Sequence, residues 1–258
     1  MCPLPETDSC RTDFDHAASA DMCSVCRVSP SNLEILFYEE TPLGVLCLRR
    51  RRLLDGTGTV VTEVTLNHEF LMSSYNTGSE RVLTCKALEM HQGKNLKVLV
   101  GGLGLGYTAY EALQNDRVQS VEVIELLPQV ISWIEQDLIP LAQNLKGNPR
   151  LRVIQDDIYK KLLSPPKEPW DLILIDVDHS PHEQLHETNS RFYAREGLAL
   201  AKAHLAPGGV LGVWSYAESS PFAEALRSEF SKVLIHPVPF KNTLVNEDHT
   251  DWLFFACD

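Results

Sequence analysis

A glycine-rich run and a series of carboxylates are the residues of this chain whose types and spacing could do chemistry. The run is Gly101-Gly102-Leu103-Gly104-Leu105-Gly106, directly after an apolar stretch at residues 98–100. Glycines without a Cβ let a backbone turn sharply and lie against a bound molecule. The carboxylates that follow are Glu125, Asp156, Asp157, Asp176 and Asp178. Carboxylates can accept hydrogen bonds from hydroxyl and amino groups and can take a proton, so the pattern predicts a nucleoside site with a base beside it.

The spacing of the glycines indicates which nucleoside this site would bind. A dinucleotide-binding loop has glycines at steps zero, two and five. Counted from Gly102, step five is Tyr107, and counted from Gly101, step two is Leu103. The Gly-x-Gly-x-Gly pattern from Gly102 matches the tighter loop of S-adenosylmethionine (SAM) binders, which hold no pyrophosphate. We therefore expect SAM as the cofactor, in contact with Gly101, Gly102, Gly104 and Gly106.

Each carboxylate has a predicted role that follows from its place after a strand. Glu125 lies about 20 residues beyond the loop, where an acid can accept both ribose hydroxyls. Asp156 and Asp157 follow the next strand and could bind the adenine amino group. Asp176 follows a buried-type strand, and we assign it the binding and deprotonation of an attacking amine, with Asp178 supporting it or binding a second amine. The alternative is that these acids are helix caps, turn formers or solvated loop residues.

Other side chains raise further alternatives. A metal site could be built from His179, His182 and His186 with Glu183 and Glu187, but sulfonium transfer needs no metal, so none is expected. Cys23 and Cys26 have the spacing of a zinc ligand pair or belong to a loosely ordered tail with reduced thiols. The acceptor pocket could be lined by Asn189, Tyr193, Trp214 and Tyr216, which could equally be packing residues.

The net charge favours a cationic partner. The chain has 258 residues, with 35 acids against 23 Lys and Arg, and its formal net charge is −12. Such a field repels phosphate backbones and attracts cations, so we expect a small amine substrate and no nucleic acid. No apolar run approaches the roughly 20 residues of a membrane span, and residues 1–21 lack the apolar core of a signal peptide. These features predict a cytoplasmic protein without a membrane partner.

The order of predicted elements gives the domain organisation and the fold class. Residues 1–31 are expected to be a weakly ordered, cysteine-containing tail, 32–68 a small β-region, and 69–258 a Rossmann-like domain that opens with a helix at 70–90. In the last region strands and helices alternate, which predicts an α/β protein with a mostly parallel, seven-stranded sheet. Only a loop separates the last two strands, so they must form an antiparallel hairpin. This is the layout of the class I SAM-methyltransferase fold.

Residues 32–257 resemble the spermidine synthase (polyamine aminopropyltransferase) family, and most closely its divergent spermidine synthase-like relatives. The resemblance is carried by the small β-region, the glycine loop, Glu125, Asp157, the segment Ile175-Asp176-Val177-Asp178-His179-Ser180-Pro181, Phe192-Tyr193 and Leu205-Ala206-Pro207-Gly208-Gly209. It implies polyamine biosynthesis, decarboxylated SAM as aminopropyl donor, Asp176 acting on the attacking amine, and a homodimer. The chain departs from the family at Leu105, where the synthases carry an acid that binds the donor's ammonium group, and in the spacing of the 176–181 segment.

Three functions remain compatible with these residues. The first is an aminopropyltransferase that acts on a polyamine-like amine. The second is a small-molecule methyltransferase that uses ordinary SAM, with which Leu105 is compatible. The third is a catalytically silent nucleoside-binding subunit.

Overall fold

The structure is a computed structural model that describes residues 32–54, 56–185, 189–242 and 246–258. Residues 32–258 form one compact unit. The predictions for residues 1–31, including the cysteine pair at 23 and 26, lie outside the described residues, as do His186 and Glu187.

The first four strands form a small antiparallel sheet in chain order. They are β1 (Leu33–Thr41), β2 (Gly44–Arg52), β3 (Val60–Leu66) and β4 (Glu69–Ser73). The prediction that a helix begins at residue 70 is wrong. Asn67 and His68 adopt positive φ angles of 52° and 69° and reverse the chain, so the next residues pair with β3 as a strand. The spacing of apolar residues in a short segment carries no information about such a tight turn, so it could not place the start of the helix.

The remaining elements alternate between helix and strand, and their bounds are as follows. They are α1 (Gly78–Met90), β5 (Leu96–Gly101), α2 (Tyr107–Leu113), β6 (Val118–Glu125), α3 (Pro128–Glu135), α4 (Ala142–Leu145), β7 (Leu151–Gln155), α5 (Ile158–Leu162), β8 (Trp170–Ile175), α6 (Ser190–Tyr193), α7 (Arg195–Lys202), β9 (Leu205–Ser215), α8 (Ser220–Glu229), β10 (Lys232–Asn242) and β11 (Glu247–Cys257).

The second sheet has seven strands in the order β10-β11-β9-β8-β5-β6-β7. The strands from β9 to β7 are mutually parallel, whereas β11 runs antiparallel to β9 and pairs with β10 as a hairpin. This arrangement confirms the predicted fold class, a mostly parallel seven-stranded sheet that ends in an antiparallel hairpin, together with a small N-terminal sheet.

The central strands are apolar on both faces because helices cover both sides of the sheet. In β8, Leu172 and Leu174 pack into one hydrophobic cluster, while Ile173 and Ile175 pack into a second cluster on the opposite face. All four side chains are at most 1% exposed. Burial of each such side chain stabilises the fold by about 1.5–3 kcal/mol, which explains the continuous Leu-Ile-Leu-Ile run.

The strand order reverses between β5 and β8, the point at which open α/β sheets have their ligand-binding crevice. The chain leaves β5 towards β6 and β7 and then returns to form β8 on the other side of β5. The carboxyl ends of β5 and β8 are adjacent, and the backbone N–H of Asp176 donates to the carbonyl oxygen of Gly101 over 2.9 Å. Open α/β sheets bind ligands at such a switch point, so the fold places the glycine loop and Asp176 where a ligand would bind.

Candidate functional site

The glycine loop lies with bare backbone against the end of β8. Gly102 has a φ of +90°, and a Cβ at this position would lie 2.2 Å from the carbonyl oxygen of Asp176. No side chain fits in that space, so glycine is required there for steric as well as conformational reasons. Of the other predicted loop glycines, Gly101 ends β5, Gly104 faces the sulfur of Met72, and Gly106 precedes α2 with a φ of +88°.

Glu125 ends β6 and holds the glycine loop through its carboxylate. Its Oε2 accepts the backbone N–H of Leu103 over 2.9 Å, and its Oε1 accepts that of Leu127 over 2.8 Å. Burial raises the pKa of Glu125, and these backbone hydrogen bonds offset part of the rise. The backbone N–H groups of Leu126 and Gly104 also lower this pKa, so four backbone donors of the loop and of the turn after β6 act on the carboxylate. A bound ribose would share this acceptor with them.

The two acids after β7 are at the same edge of the sheet. Asp157 is the N-cap of α5, and its Oδ1 accepts the backbone N–H groups of Tyr159 and Lys160. Asp156 is exposed, and its Oδ1 accepts the N–H of Asp157. Oδ1 of Asp157 therefore caps the helix, as the alternative interpretation expected, whereas Oδ2 takes no part in these two hydrogen bonds.

Asp176 follows β8 directly and faces α2. Its Oδ2 accepts a hydrogen bond from the hydroxyl of Thr108 over 2.8 Å. Burial raises the pKa of Asp176 from 3.8 to about 6, the Thr108 hydrogen bond opposes the rise, and the negative charge of Asp251 adds to it. A carboxylate with a pKa near neutrality is suited to accept a proton from an amine and release it again.

Asp178 lies in a different environment from Asp176 although it is only two residues away. It is 2% exposed. Its carboxylate accepts hydrogen bonds from Tyr159 Oη (2.7 Å), Tyr193 Oη (3.0 Å), Asn189 Nδ2 (2.9 Å) and the backbone N–H of Leu185 (2.8 Å). These four donors belong to the fold itself. The geometry therefore suits a carboxylate that anchors the segment after β8.

Two acids that the sequence analysis missed lie in the same electrostatic environment as Asp176. Glu80 is in the first turn of α1, and burial together with the charge of Asp176 raises its pKa to about 8. Asp251, in β11, is 8% exposed, and burial raises its pKa as well. The residues belong to three distant parts of the chain. Together they make this wall of the crevice acidic.

The predicted antiparallel pairing of the last strand was the one sequence signal that could have placed Asp251 near the site. Because β11 is antiparallel to β9, its first residues lie at the edge where the parallel strands end: Trp252 pairs with Ser215, the last residue of β9.

Among the acceptor-pocket candidates, Trp214 donates to Ser79 Oγ, and the exposed Tyr216 donates to Glu183. Asn189 and Tyr193 donate to Asp178, so they contribute to its anchoring.

The histidines and acids that the sequence analysis weighed as an alternative metal site do not come together in the part of the chain that the structure describes. The ring of His179 packs edge-on against Tyr216, and His182 Nε2 lies 2.8 Å from Ser219 Oγ. Among the described residues, no group of three His, Cys, Asp or Glu side chains is placed to hold a metal ion.

None of the described helices combines the length and the apolar character that crossing a membrane would require.

Comparisons with known proteins identify relatives with one kind of activity. No family model matches the chain. The polyamine aminopropyltransferase 2 of Streptomyces coelicolor is 29% identical over 123 residues, which are 47% of this chain and 22% of that protein. The polyamine aminopropyltransferase of Mycobacterium tuberculosis is 32% identical over 118 residues, or 45% of this chain and 22% of that protein. The chain thus matches about a fifth of the length of these curated relatives.

The fold has a counterpart among crystal structures. A spermidine synthase in complex with the transition-state analogue AdoDATO superposes with a TM-score of 0.68 over 86% of this chain and 73% of that chain, at 17% identity. Identity this low supports the fold alone. With the two sequence matches, it confirms the predicted resemblance to the spermidine synthase family and its Rossmann-like fold.

Proposed function

We propose that this chain, a relative of the spermidine synthases, is a transferase that moves an aminopropyl group from decarboxylated SAM to a small amine. The observation that carries the proposal is the position of Asp176. It follows the strand beside the glycine loop. The charge of Asp251 raises the pKa of Asp176, and the charge of Asp176 in turn raises the pKa of Glu80. A crevice with bare glycine backbone on one side and acids on the other suits a nucleoside that carries positive charge and a cationic acceptor.

The residues present fit such a donor. The backbone at Gly102 leaves no room for a side chain, and Glu125 places a carboxylate beside the loop, where it would accept hydrogen bonds from the ribose hydroxyls. Asp157 supplies an oxygen for the adenine amino group, and the exposed Asp156 lies beside it. We assign donor binding to these residues and to Gly101, Gly104 and Gly106. The donor's sulfonium supplies a good leaving group, because the thioether that departs is neutral.

The protein must then position the amine and remove its proton. Asp176 binds the acceptor ammonium and accepts one of its protons, which frees the nitrogen lone pair. The nitrogen forms a bond to the donor carbon as the carbon–sulfur bond breaks, and sulfur keeps the electron pair. The reacting atoms have to be held about 3 Å apart. In this scheme Asp178 is a positioning residue, since its hydrogen bonds hold the segment that begins at Asp176.

A methyltransferase that uses ordinary SAM is the second candidate, and Leu105 favours it. Leu105 is 3% exposed and packs in the core. The loop therefore lacks the acid expected to hold the donor's ammonium in an aminopropyltransferase. If Glu80 and Asp251 do not replace that acid, the chain would have no reason to prefer the decarboxylated donor.

Titration calorimetry with the two donors decides between the candidates. We expect tighter binding of decarboxylated SAM, because the acidic wall repels the extra carboxylate of SAM. Incubation with 1,4-diaminobutane and either donor, followed by mass spectrometry, identifies the transferred group. Asp176→Asn should retain donor binding and lose transfer. Tighter binding of SAM with methyl transfer would support the second candidate, and binding of a donor without any transfer would indicate a silent nucleoside-binding subunit.

The resemblance also supports the proposal of a homodimer. Sedimentation equilibrium of the full chain would test it, and a monomer mass at micromolar concentrations would reject it.

A further inference from the structure

The hydroxyl of Ser79 lies between the carboxylates of Glu80 and Asp251, to which the proposed reaction assigns no proton transfer. Ser79 is the second residue of α1 and is 2% exposed. Its Oγ is 2.6 Å from Oδ2 of Asp251 and 3.2 Å from Oε2 of Glu80. It also accepts the indole N–H of Trp214 over 3.0 Å. This buried hydroxyl thus has three hydrogen-bond partners.

The hydrogen-bonding capacity of Ser79 sets the number of protons in this cluster. A serine hydroxyl has one hydrogen to donate, and the indole N–H of Trp214 can only donate. Two ionised carboxylates would both need a hydrogen from Ser79, and the second would face an oxygen lone pair. If one carboxyl is protonated, it donates to Ser79 Oγ, and Ser79 donates to the other. The geometry is satisfied when Glu80 and Asp251 together carry one proton.

The surrounding charges favour Glu80 as the carrier of that proton. Burial and the charge of Asp176 raise the pKa of Glu80 to about 8. Burial also raises the pKa of Asp251, but hydrogen bonding to Ser79 and the charge of His249 in β11 oppose the rise. Tyr107 of α2 faces Glu80. The nearby Arg81 of α1 lies over the Tyr107 ring and forms an ion pair with Glu111. Asp176, directly after β8, and Asp251 are the two acids whose charges raise the pKa of Glu80.

We propose that Glu80 and Asp251 are positioning residues that share one proton through Ser79, and that the charge of this pair sets how strongly the crevice holds a cationic amine. The second half of this statement rests on the proposed function. Loss of the shared proton changes the charge of the pair from −1 to −2 beside Asp176. The affinity for an ammonium ion should therefore rise with pH over the range in which the pair loses its proton, while an amine with a pKa of about 10 stays charged.

The first test needs no ligand and measures stability against pH. A carboxyl whose folded pKa is above its unfolded value stabilises the fold while protonated, and that stability is lost as the pH rises through the folded pKa. The unfolding free energy of the wild type should therefore fall between about pH 4.5 and about pH 8 relative to Glu80→Gln, which mimics the protonated state. Glu89→Gln, on the exposed side of α1, is the matched control and should follow the wild type in this range.

A second variant, Asp251→Asn, keeps the test decisive if Glu80→Gln does not fold. Asp251→Asn removes one partner of the pair and relieves Glu80 of a negative neighbour, so the pH-dependent loss of stability should move to lower pH. Parallel pH profiles of the wild type, Glu80→Gln and Asp251→Asn would overturn the shared proton.

The second test measures amine binding with 1,4-diaminobutane as the probe and decarboxylated SAM present. Between about pH 6.5 and about pH 8.5, the affinity of the wild type should rise by up to about tenfold, the effect of one added charge at a separation of about 12 Å and an effective dielectric of about 20. Glu80→Gln should show a flat profile. An equal rise in both proteins would overturn the coupling to binding. Absence of amine binding at every pH would reject the proposed function and the coupling, while the stability profiles still decide whether the proton is shared.

Discussion

The hydroxyl of Thr108 donates a hydrogen bond of 2.8 Å to Oδ2 of Asp176. Thr108 is the second residue of α2, directly after the glycine loop, and Asp176 directly follows β8. The contact joins the loop that would bind the donor to the carboxylate that would act on the acceptor. It stabilises the ionised form of Asp176, and so it counteracts the effect of burial on the pKa of this group.

Replacement of Thr108 by valine should raise the pKa of Asp176 further. A hydrogen bond to a charged group contributes about 1.5–3 kcal/mol, so the acidic limb of the kcat/KM profile should move upward by about one to two pH units. Thr108→Ser keeps the hydroxyl and should leave the limb near that of the wild type. The pH dependence of transfer by the three proteins measures the effect, and an unmoved limb in Thr108→Val would show that Asp176 is not the titrating group.

Replacement of Glu125 by alanine should weaken binding of the donor nucleoside. Loss of an ionised acceptor for two ribose hydroxyls is expected to reduce affinity about 100-fold, from about 1.5–3 kcal/mol for hydrogen bonds to a charged group. Because Glu125 also holds Leu103 and Leu127, circular dichroism and the melting temperature must be compared with the wild type. Unchanged affinity in a folded variant would place the ribose elsewhere.

Replacement of Gly102 by alanine should destabilise the protein more than the same change at Gly147. Both glycines have positive φ angles, +90° and +69°, so both variants carry the backbone strain of about 1–2 kcal/mol. At Gly147 no heavy atom lies within 4 Å of the new Cβ, whereas at Gly102 the Asp176 carbonyl oxygen lies at 2.2 Å. Urea denaturation of the two variants isolates the cost of the clash, and equal losses would contradict the close approach of loop and strand.

Asp176→Asn and Asp178→Asn should have opposite effects on stability. Burial raises the pKa of Asp176 from 3.8 to about 6, so stability falls as the pH rises from about 4 to about 6, and the neutral amide removes this loss at pH 8. Asp178→Asn instead turns an amide group towards donors that need an acceptor, which should cost about 1–3 kcal/mol. Denaturation at pH 8 checks both signs, and a stable Asp178→Asn would argue against its anchoring role.

Much of the fold, and the site residues that directly follow strands, could be predicted from local patterns. Parallel strands end at one edge of a sheet, so the order of Gly102, Glu125 and Asp176 along the chain was enough to group them. The environment of Asp178 could not be predicted in this way. Its partner Tyr159 comes from α5, which precedes β8, and its partner Tyr193 comes from α6, which follows it. Only the packing of these two helices shows that the carboxylate is fully bonded.

The amino-acid sequence by itself determined the alternation of apolar strands and helices, the glycine spacing, and the acids that follow the strands, because these depend on neighbours within a few residues. The tertiary structure alone decided that Glu80 and Asp251 meet at Ser79. Ser79 and Asp251 are 172 positions apart and are joined by the antiparallel return of β11. The pKa values of these acids and of Asp176 depend on burial and on charges brought together from three elements, and therefore on the folded arrangement of the chain.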